Sequence, residues 1–298
     1  MNKGENSDSI PIDLILEILS RLPAKSIKKF QCVSKLWRSL LCKPYFTELF
    51  LTRSSSRPRL LIGVKQDSEW FLFSSPQPQN PSSPVVSADS HMKIFFDLKY
   101  YESCRYASGL LYFPSLRTSK EYDNDTNKIH AICNPSTGQF AILPEPRTNR
   151  GCGGFLGFDP IGLVNTWHIY CGGFPLDLRM WVLEDIDKQK ISAYDYTLRT
   201  DNGIVFKDGD YISVVRATAS GEIVLVKNSA YEPFYVFYFN PERNTLQSVE
   251  IQGVRQEGKE WSTHHQEVHV FVDHVEDLNF DVMKAIDAAS SISQVNII

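Results

Sequence analysis

Three histidines near residue 265 are the first candidates for chemistry in this sequence. His264, His265 and His269 include a pair four residues apart, and on a helix that spacing places two metal ligands on one face. Residues 268–272 alternate as Val-His-Val-Phe-Val, which is typical of a strand instead. No cysteine or pair of carboxylates nearby completes a tetrahedral ligand set. The pattern therefore favours histidines on an exposed loop and strand over a metal site.

A short acidic cluster in the middle of the chain is a second candidate. Glu184, Asp185 and Asp187 are close enough in sequence to act as paired carboxylates in acid–base chemistry. Lys188 and Lys190 follow at once, so the cluster has mixed charge. A solvated turn explains it better than a catalytic site.

The Gly-Cys-Gly-Gly run at residues 151–154 is a third candidate, for phosphate binding. A phosphate-binding loop follows a strand, opens a helix and carries Lys-Ser or Lys-Thr, and none of these surrounds the run. Cys152 has no base beside it in sequence that would activate a nucleophile. We therefore assign no catalytic residue, no cofactor and no metal ion to these three candidates.

The cysteines predict free thiols in a reducing compartment. None of them forms a Cys-x-x-Cys pair, and the chain is long enough to need no disulfide framework. The six are Cys32, Cys42, Cys104, Cys133, Cys152 and Cys171. The first ten residues are polar and lack the apolar stretch of a signal peptide, so we expect an intracellular protein of the cytosol, the nucleus or both.

Composition excludes several classes of partner. The 298 residues are 42% hydrophobic and 22% charged, which is typical of a folded protein of about two domains. The net charge is −4, and residues 1–50 carry only three more basic than acidic side chains, so we expect no nucleic-acid binding. No apolar run reaches the roughly 18–20 residues of a membrane span, so we expect no membrane partner.

The amino-terminal region predicts short helices. Leu14, Ile15, Ile18, Leu19 and Leu22 form one stripe at helical spacing, which we expect to end at the following proline, residue 23. A second short helix follows, and the serine at position 34 is suited to cap a third, which the proline at position 44 closes. Because such short helices are unstable alone, they must pack on one another or on a partner.

After residue 52 the chain changes to short apolar runs bounded by Gly, Pro, Asn and Asp, which predict an all-β region. The predicted strands are 60–64, 70–73, 94–96, 110–113, 128–133, 140–143, 155–158, 167–171, 180–183, 211–216, 222–226, 235–239, 246–251 and 268–272. Two hairpin sequences repeat, Asn134–Gln139 and Asn240–Thr245, and Asp159-Pro160 begins a looser third copy. Recurring hairpins favour a propeller of about five units.

The helical segment resembles an F-box, with matches in register over about forty positions. The matching residues are Ile10, Pro11, Leu14, Ile15, Glu17–Leu19, Arg21–Ser26, Val33–Trp37 and Ser39–Leu41. The remainder resembles the F-box associated domain of the large plant F-box family. That resemblance is carried by Ser108–Leu111, Asn134–Gly138, Phe155–Pro160, Met180–Asp185, Gly221–Leu225, Asn240–Thr245 and Phe271–Asp277.

The resemblance implies a fold, a function and a set of partners. The fold is a small all-α F-box, a three-helix hairpin at residues 9–52, followed by an all-β, propeller-like domain at 53–280, with a disordered 1–8 and a tail at 281–298. The hairpin docks on a Skp-type adaptor, which joins a cullin scaffold, and the β-domain captures an unknown target for ubiquitination. Catalysis belongs to other subunits, so the resemblance implies that this chain is not an enzyme. Our alternative is a propeller that binds a small molecule, with an unrelated helical segment.

The predicted adaptor contacts combine the resemblance with the excess of apolar residues over what a small helical core needs. They are Ile10, Pro11, Leu14, Ile15, Leu19, Leu22, Pro23, Val33, Trp37 and Leu40. Trp37 is predicted to be the central contact, because large aromatic side chains dominate interface energetics. The other interpretation is that these side chains only fill the hairpin's own core.

One departure from the family concerns the middle of the chain. Further strands usually lie between the Gly-Phe-Asp-Pro and Trp-Val-Leu-Glu-Asp motifs, and here only residues 161–179 separate them. Either the β-domain closes with fewer blades, or it is left open with exposed edges. A chain of this kind could also bind the adaptor and recruit nothing.

Overall fold

The computed structural model describes residues 10–66, 69–77, 85–95, 97–98, 104–107, 109–117, 129–143, 167–169, 175–185, 190–199, 211–227, 233–254 and 266–278. The predicted strand 155–158, the third hairpin copy, the Gly-Cys-Gly-Gly run and the tail from 281 lie outside these residues. Within the described part of the chain, no helix is long and apolar enough to cross a membrane.

Four helices form the amino-terminal domain: α1 (Ile12–Leu19), α2 (Ala24–Val33), α3 (Lys35–Leu41) and α4 (Pro44–Ser55). The Ser34 hydroxyl accepts a hydrogen bond from the Trp37 amide at 3.2 Å, which confirms the predicted cap of α3. The first helix ends at Leu19 rather than at Pro23, because the Ser20 hydroxyl bonds the Glu17 carbonyl and closes the last turn.

Helix α4 was not predicted as an element of its own. Pro44 does close α3, but it also occupies the first turn of α4, where its missing N–H costs nothing. Phe46 and Phe50 on this helix are fully buried. The helix continues to Ser55, past the expected domain boundary at residue 52.

The rest of the described chain consists of strands. They are β1 (Arg59–Gln66), β2 (Glu69–Pro76), β3 (Val85–Ser87), β4 (Asp89–Phe95), β5 (Asp97–Leu98), β6 (Arg105–Ala107), β7 (Leu110–Arg117), β8 (Ile129–Asn134), β9 (Gln139–Leu143), β10 (Trp167–Ile169), β11 (Leu176–Asp185), β12 (Lys190–Leu198), β13 (Ile212–Ala217), β14 (Ile223–Lys227), β15 (Phe234–Asn240), β16 (Thr245–Gln252) and β17 (Gln266–His274). Every predicted strand that falls on described residues overlaps one of these. Strands β3, β5, β6 and β12 were missed. The first three are only two or three residues long, and β12 mixes apolar with polar residues instead of forming a continuous apolar run.

The described strands form four sheets. Sheet A has the order β17-β1-β2-β4, sheet B the order β10-β13-β14-β15-β16-β3, and β11 pairs with β12 alone. Sheet C contains β5-β7-β8-β9, with β6 also paired to β7. Because β17 pairs with β1, the two ends of the β-domain meet within sheet A. Separate, mostly antiparallel sheets agree with the propeller-like class, and the described strands do not join into one closed barrel.

The two repeated hairpins adopt the turn that their sequences predict. Gly138 has a φ of 71° and Asn244 a φ of 50°, so both occupy the left-handed region at the same position of the repeat. The Asn134 side-chain oxygen accepts bonds from the amides of Ser136 at 2.9 Å and Thr137 at 3.3 Å. The equivalent Asn240 oxygen accepts one bond from Arg243 at 3.0 Å.

Sheet A lies between sheets B and C, and its inner strand β1 is buried on both faces. Leu60, Ile62 and Val64 of β1 pack with side chains of sheet B in one core. Leu61 of the same strand packs with side chains of sheet C, including Phe113, in a second core. The period of two along a strand places successive residues in alternate cores.

Candidate functional site

Helix α1 carries apolar side chains on two opposite faces. Leu16 and Leu19 are buried, with 7% and 5% of their surface exposed, and pack into the core of the helical domain. Leu14 and Ile18 lie four residues apart on the other side of the helix, and they are 55% and 58% exposed. A helix of a soluble domain usually has one apolar stripe, so the outward stripe of α1 is an apolar surface without a covering element among the described residues.

The exposed apolar surface extends beyond α1. Tyr45 of α4 is 64% exposed, and six large aliphatic side chains of the amino-terminal region are between 43% and 68% exposed. We call these six the apolar face. They are Ile10, Ile12, Leu14, Ile18, Val33 and Leu36. By contrast, the described β-domain exposes Val85, Ile142 and Tyr194 as scattered large apolar side chains.

The structure divides the ten predicted contact residues into two groups. Ile10, Pro11, Leu14 and Val33 are exposed and are available to a partner. The other six are partly or fully covered: Ile15, Leu19, Leu22, Trp37 and Leu40 pack into the helical core, and Pro23 is half-buried at the start of α2. The core interpretation therefore describes half of the set.

Trp37 has a structural role in addition to any contact it makes with a partner. Its ring lies 6.0 Å from the ring of Phe30, between centroids, and the two rings are tilted by 52°. The side chain is half-buried and packs against the helical core. In this conformation it supports α2 and α3 against each other.

Three residues of the apolar face were not predicted. Ile12, Ile18 and Leu36 are exposed although Ile18 shares a stripe with Leu14 in the sequence. The signal that identifies Ile12 and Ile18 is an apolar pattern that runs around α1 rather than along one side of it, and this signal does not report Leu36, which lies on α3. Periodicity alone does not tell which stripe faces the domain's own core.

Charged side chains lie beside the apolar stripe of α1. The Glu17 carboxylate forms an ion pair with Arg21 at 2.9 Å and a second one with Arg53 of α4. The hydrogen bond from Arg21 is the main reason why the pKa of Glu17 is lowered. This pair of bonds joins α1 to α4.

A buried polar cluster lies at the end of β17. His274 is fully buried, and its ring nitrogens contact the Tyr106 hydroxyl at 2.9 Å and the Ser136 hydroxyl at 3.2 Å. Burial, with the nearby His91 and Arg59, lowers the pKa of His274 to about 3. The imidazole is therefore neutral at physiological pH, so it donates one hydrogen bond and accepts the other. These contacts hold β17, β6 and the turn between β8 and β9 together.

The sequence candidates for chemistry have structural positions where they are described. His269 lies on strand β17, as its alternating neighbours predict, but it is not exposed as expected: its ring is half-buried and stacks on Trp70 with centroids 4.9 Å apart. His264 and His265 fall outside the described residues. Asp185 of the acidic cluster pairs with Lys190 where strands β11 and β12 end and begin, so it lies at the turn end of this hairpin. Among the described residues, no three His, Cys, Asp or Glu side chains are grouped as metal ligands.

Two family profiles match this chain, and they follow its two structural parts. Residues 7–49 match the F-box domain, and residues 59–164 and 168–275 match the F-box associated beta propeller domain. The chain belongs to the F-box protein family. F-box proteins with this second domain are generally substrate receptors of SCF-type ubiquitin ligases, and such receptors are typically not enzymes.

Curated relatives from Arabidopsis thaliana align along almost the whole F-box protein. Putative F-box protein At1g31090 is 59% identical over 298 residues, which covers 98% of this chain and 92% of the relative. F-box protein At1g31080 is 50% identical over 319 residues, with 98% and 87% covered. Putative F-box protein At1g30920 is 40% identical over 400 residues, with 98% of each chain covered.

These alignments bear on the shortened middle of the β-domain. The alignment with At1g30920 spans 400 positions, so that relative contains residues that have no counterpart in this chain of 298. The propeller match breaks between residues 164 and 168, inside the interval that the motif spacing marks as short. At1g31090 aligns over 298 positions without a long insertion, so the short form is common to both chains.

Proposed function

We propose that this protein is the substrate-recognition subunit of an SCF-type ubiquitin ligase. Its helices bind a Skp-type adaptor, which links it to a cullin scaffold, and its β-domain binds a target protein for ubiquitination. We place the adaptor-binding domain at residues 9–52 and the target-binding domain at 53–280, in an intracellular protein of the cytosol or nucleus. Catalysis belongs to other subunits of the complex.

The observation that supports adaptor binding is the second apolar stripe of α1, inside the segment that matches the F-box. Leu16 and Leu19 already supply the domain's own core, so Leu14 and Ile18 are in excess of what the fold needs. Burial of apolar surface is the main favourable contribution to protein association. A group of exposed large apolar side chains in one small domain is therefore typical of a partner-binding surface.

The contact set that we propose keeps the predicted residues and adds those that the fold exposes. The primary contacts are the six side chains of the apolar face together with Pro11. The five predicted residues in the helical core, and Pro23, support this surface from beneath. We propose that Trp37 orients α2 and α3 as well as contacting the adaptor.

The β-domain is supported as a folded domain by the buried cores on both faces of sheet A and by the β17–β1 pairing that joins its ends. Binding of a target there follows from the family's general role. The alternative function, small-molecule binding by the β-domain, and the third one, adaptor binding without a target, remain as outcomes of the experiment.

The test is co-expression of the full chain with a Skp-type adaptor, followed by size-exclusion chromatography. We expect a complex of equal stoichiometry with the wild type, and its loss in the Leu14→Asp Ile18→Asp variant. Ile142→Asp is the matched control, because Ile142 is 56% exposed and Leu14 is 55% exposed. The control must elute with the adaptor.

Elution of a folded wild-type chain apart from the adaptor would contradict the proposed function and direct the search to small molecules. A complex that survives both substitutions in α1 would show that the apolar face is not the docking surface. Capture of no target by the adaptor-bound protein would favour the third function.

A further inference from the structure

A six-residue segment at the end of the last strand joins the helical domain to the β-domain. We call Asp273–Leu278 the junction segment. Its first two residues end strand β17, which pairs with β1, and it lies more than 200 residues from the helices in sequence. The family resemblance includes most of this segment without giving it a role.

Glu276 makes two contacts with the helices. Its backbone N–H donates to the Ser54 hydroxyl of α4 at 2.8 Å, and its carboxylate accepts a bond from the Ala24 amide at 3.3 Å. Ala24 is the first residue of α2, so the carboxylate satisfies one of the amides that a helix start leaves without a partner. A negative charge also suits this end of the helix dipole.

The contacts of Glu276 are shielded from water. Glu276 is 5% exposed, Ser54 is 8% exposed and Ala24 is fully buried. Leu278, two residues further on, is 8% exposed and belongs to the core of the helical domain. The end of the junction segment is therefore part of the helical domain's packing, and hydrogen bonds in such a site cost more to lose than those at the surface.

The start of the junction segment binds the β-sheets. Asp273 exchanges two 2.8 Å bonds with the Gln77 side chain, after β2, and its carboxylate also accepts the Ala219 amide from the β13–β14 turn at 2.8 Å. His274 contacts Tyr106 and Ser136 of sheet C. These six residues thus touch sheets A, B and C and two helices.

We propose that the junction segment fixes the orientation of the adaptor-binding helices relative to the target-binding domain, with Glu276 as the positioning residue. The biological role of this fixed orientation rests on the proposed function, because ubiquitin transfer needs the target to be held at a fixed place relative to the adaptor. The rigid coupling itself is a property of this chain alone. It is measured without adaptor or target.

The experiment is a distance distribution between two spin labels on the full chain. One label is placed on Cys32, which is exposed on α2, and the other on β9 through Ile142→Cys. Cys42→Ser, Cys152→Ser and Cys171→Ser remove competing thiols. Cys104 and Cys133 are buried, and burial raises the pKa of both thiols, so they do not react.

We expect one narrow distance distribution for the parent chain and a broad one for Glu276→Ala. Glu276→Gln keeps an acceptor for the Ala24 amide and should stay narrow. Glu250→Ala is the matched control, because Glu250 bonds Gln252 of its own strand at 2.9 Å. If Glu276→Ala does not fold, Ser54→Ala removes the other contact and should also broaden the distribution.

A narrow, unchanged distribution in folded Glu276→Ala and Ser54→Ala would overturn the proposal. Adaptor binding in the same variants separates this proposal from the proposed function. We expect their adaptor affinity to stay within about threefold of the parent, because Glu276 is not on the apolar face. Loss of coupling with intact adaptor binding supports both proposals, and failure of the parent chain to bind the adaptor overturns only the proposed function.

Discussion

At the residue scale, Gly109 shows how a single position connects a family motif to the junction segment. It has a φ of +81°, and a Cβ there would lie 3.1 Å from the Val275 carbonyl oxygen. Gly221 has nearly the same φ, +84°, but no atom lies within 4 Å of its Cβ position. Substitution of Gly109 therefore tests backbone strain together with a close contact, and substitution of Gly221 tests backbone strain alone.

We predict that Gly109→Ala destabilises the protein by about 2–4 kcal/mol, because left-handed strain adds to a contact with backbone that cannot move away. Gly221→Ala carries the strain alone and should cost about 1 kcal/mol. Urea denaturation of both variants measures the difference. Equal losses would show that the approach to Val275 does not matter.

At the element scale, the two repeated hairpins have the same turn in different surroundings. Asn134 is 2% exposed, and it also donates to the Asp277 carbonyl at 3.5 Å. Asn240 is half-buried and accepts a single bond. The sequence repeat predicts the turn, and it does not predict the difference in burial.

Asn134→Ala should therefore cost about 2–3 kcal/mol, because it leaves buried amides without acceptors. Asn240→Ala should cost about 0.5–1.5 kcal/mol, since water replaces the lost bond there. The free energy of unfolding of each variant, measured side by side, checks the order. A larger loss for Asn240→Ala would contradict the account.

Local sequence signals identified most helices and strands, but they identified few of the contacts between elements that are distant in sequence. Ser34 as a cap, Gly138 and Asn244 in left-handed turns, and the alternation around His269 are all decided within a few residues, so the sequence predicts them. Strands of two or three residues such as β5 and β6 carry no period. The Glu276–Ala24 contact spans 252 residues in sequence, and no local pattern reports it.

The same limit applies to the candidate site. The sequence predicted which segment is the F-box, because its residue types match that domain in register over about forty positions. It did not separate Leu14, which is exposed, from Leu19, which is buried. Both lie in apolar stripes of α1, and only the packing of α2, α3 and α4 decides which stripe stays outside.

At the scale of the whole molecule, stability should depend on pH through two histidines, the fully buried His274 and the half-buried His91. The folded-state pKa is about 3 for His274 and about 4 for His91, in both cases chiefly because burial disfavours the charged form. Below a pH of about 6.5 the unfolded chain takes up protons that the folded chain does not. Stability is therefore present above that pH and is lost as pH falls toward these folded-state values.

Each histidine contributes a slope of up to about 1.4 kcal/mol per pH unit in that interval. Glu276 acts in the opposite direction, because burial raises its pKa and its contribution is lost as pH rises. We predict that His274→Asn has a shallower dependence of unfolding free energy on pH between 6.5 and 4.5 than the wild type. Parallel curves that differ only by a constant would contradict the assignment of that slope to His274.

The central claim, that the outward stripe of α1 docks the protein on a Skp-type adaptor, is tested most directly by titration calorimetry. The purified full chain is titrated with the adaptor and compared with its Leu14→Asp and Ile18→Asp variants. Loss of a central apolar contact costs at least about 2 kcal/mol, so we expect each variant to bind at least about 30-fold more weakly, with Ile142→Asp unchanged. Dissociation constants within about threefold of the wild type in both α1 variants would contradict the claim.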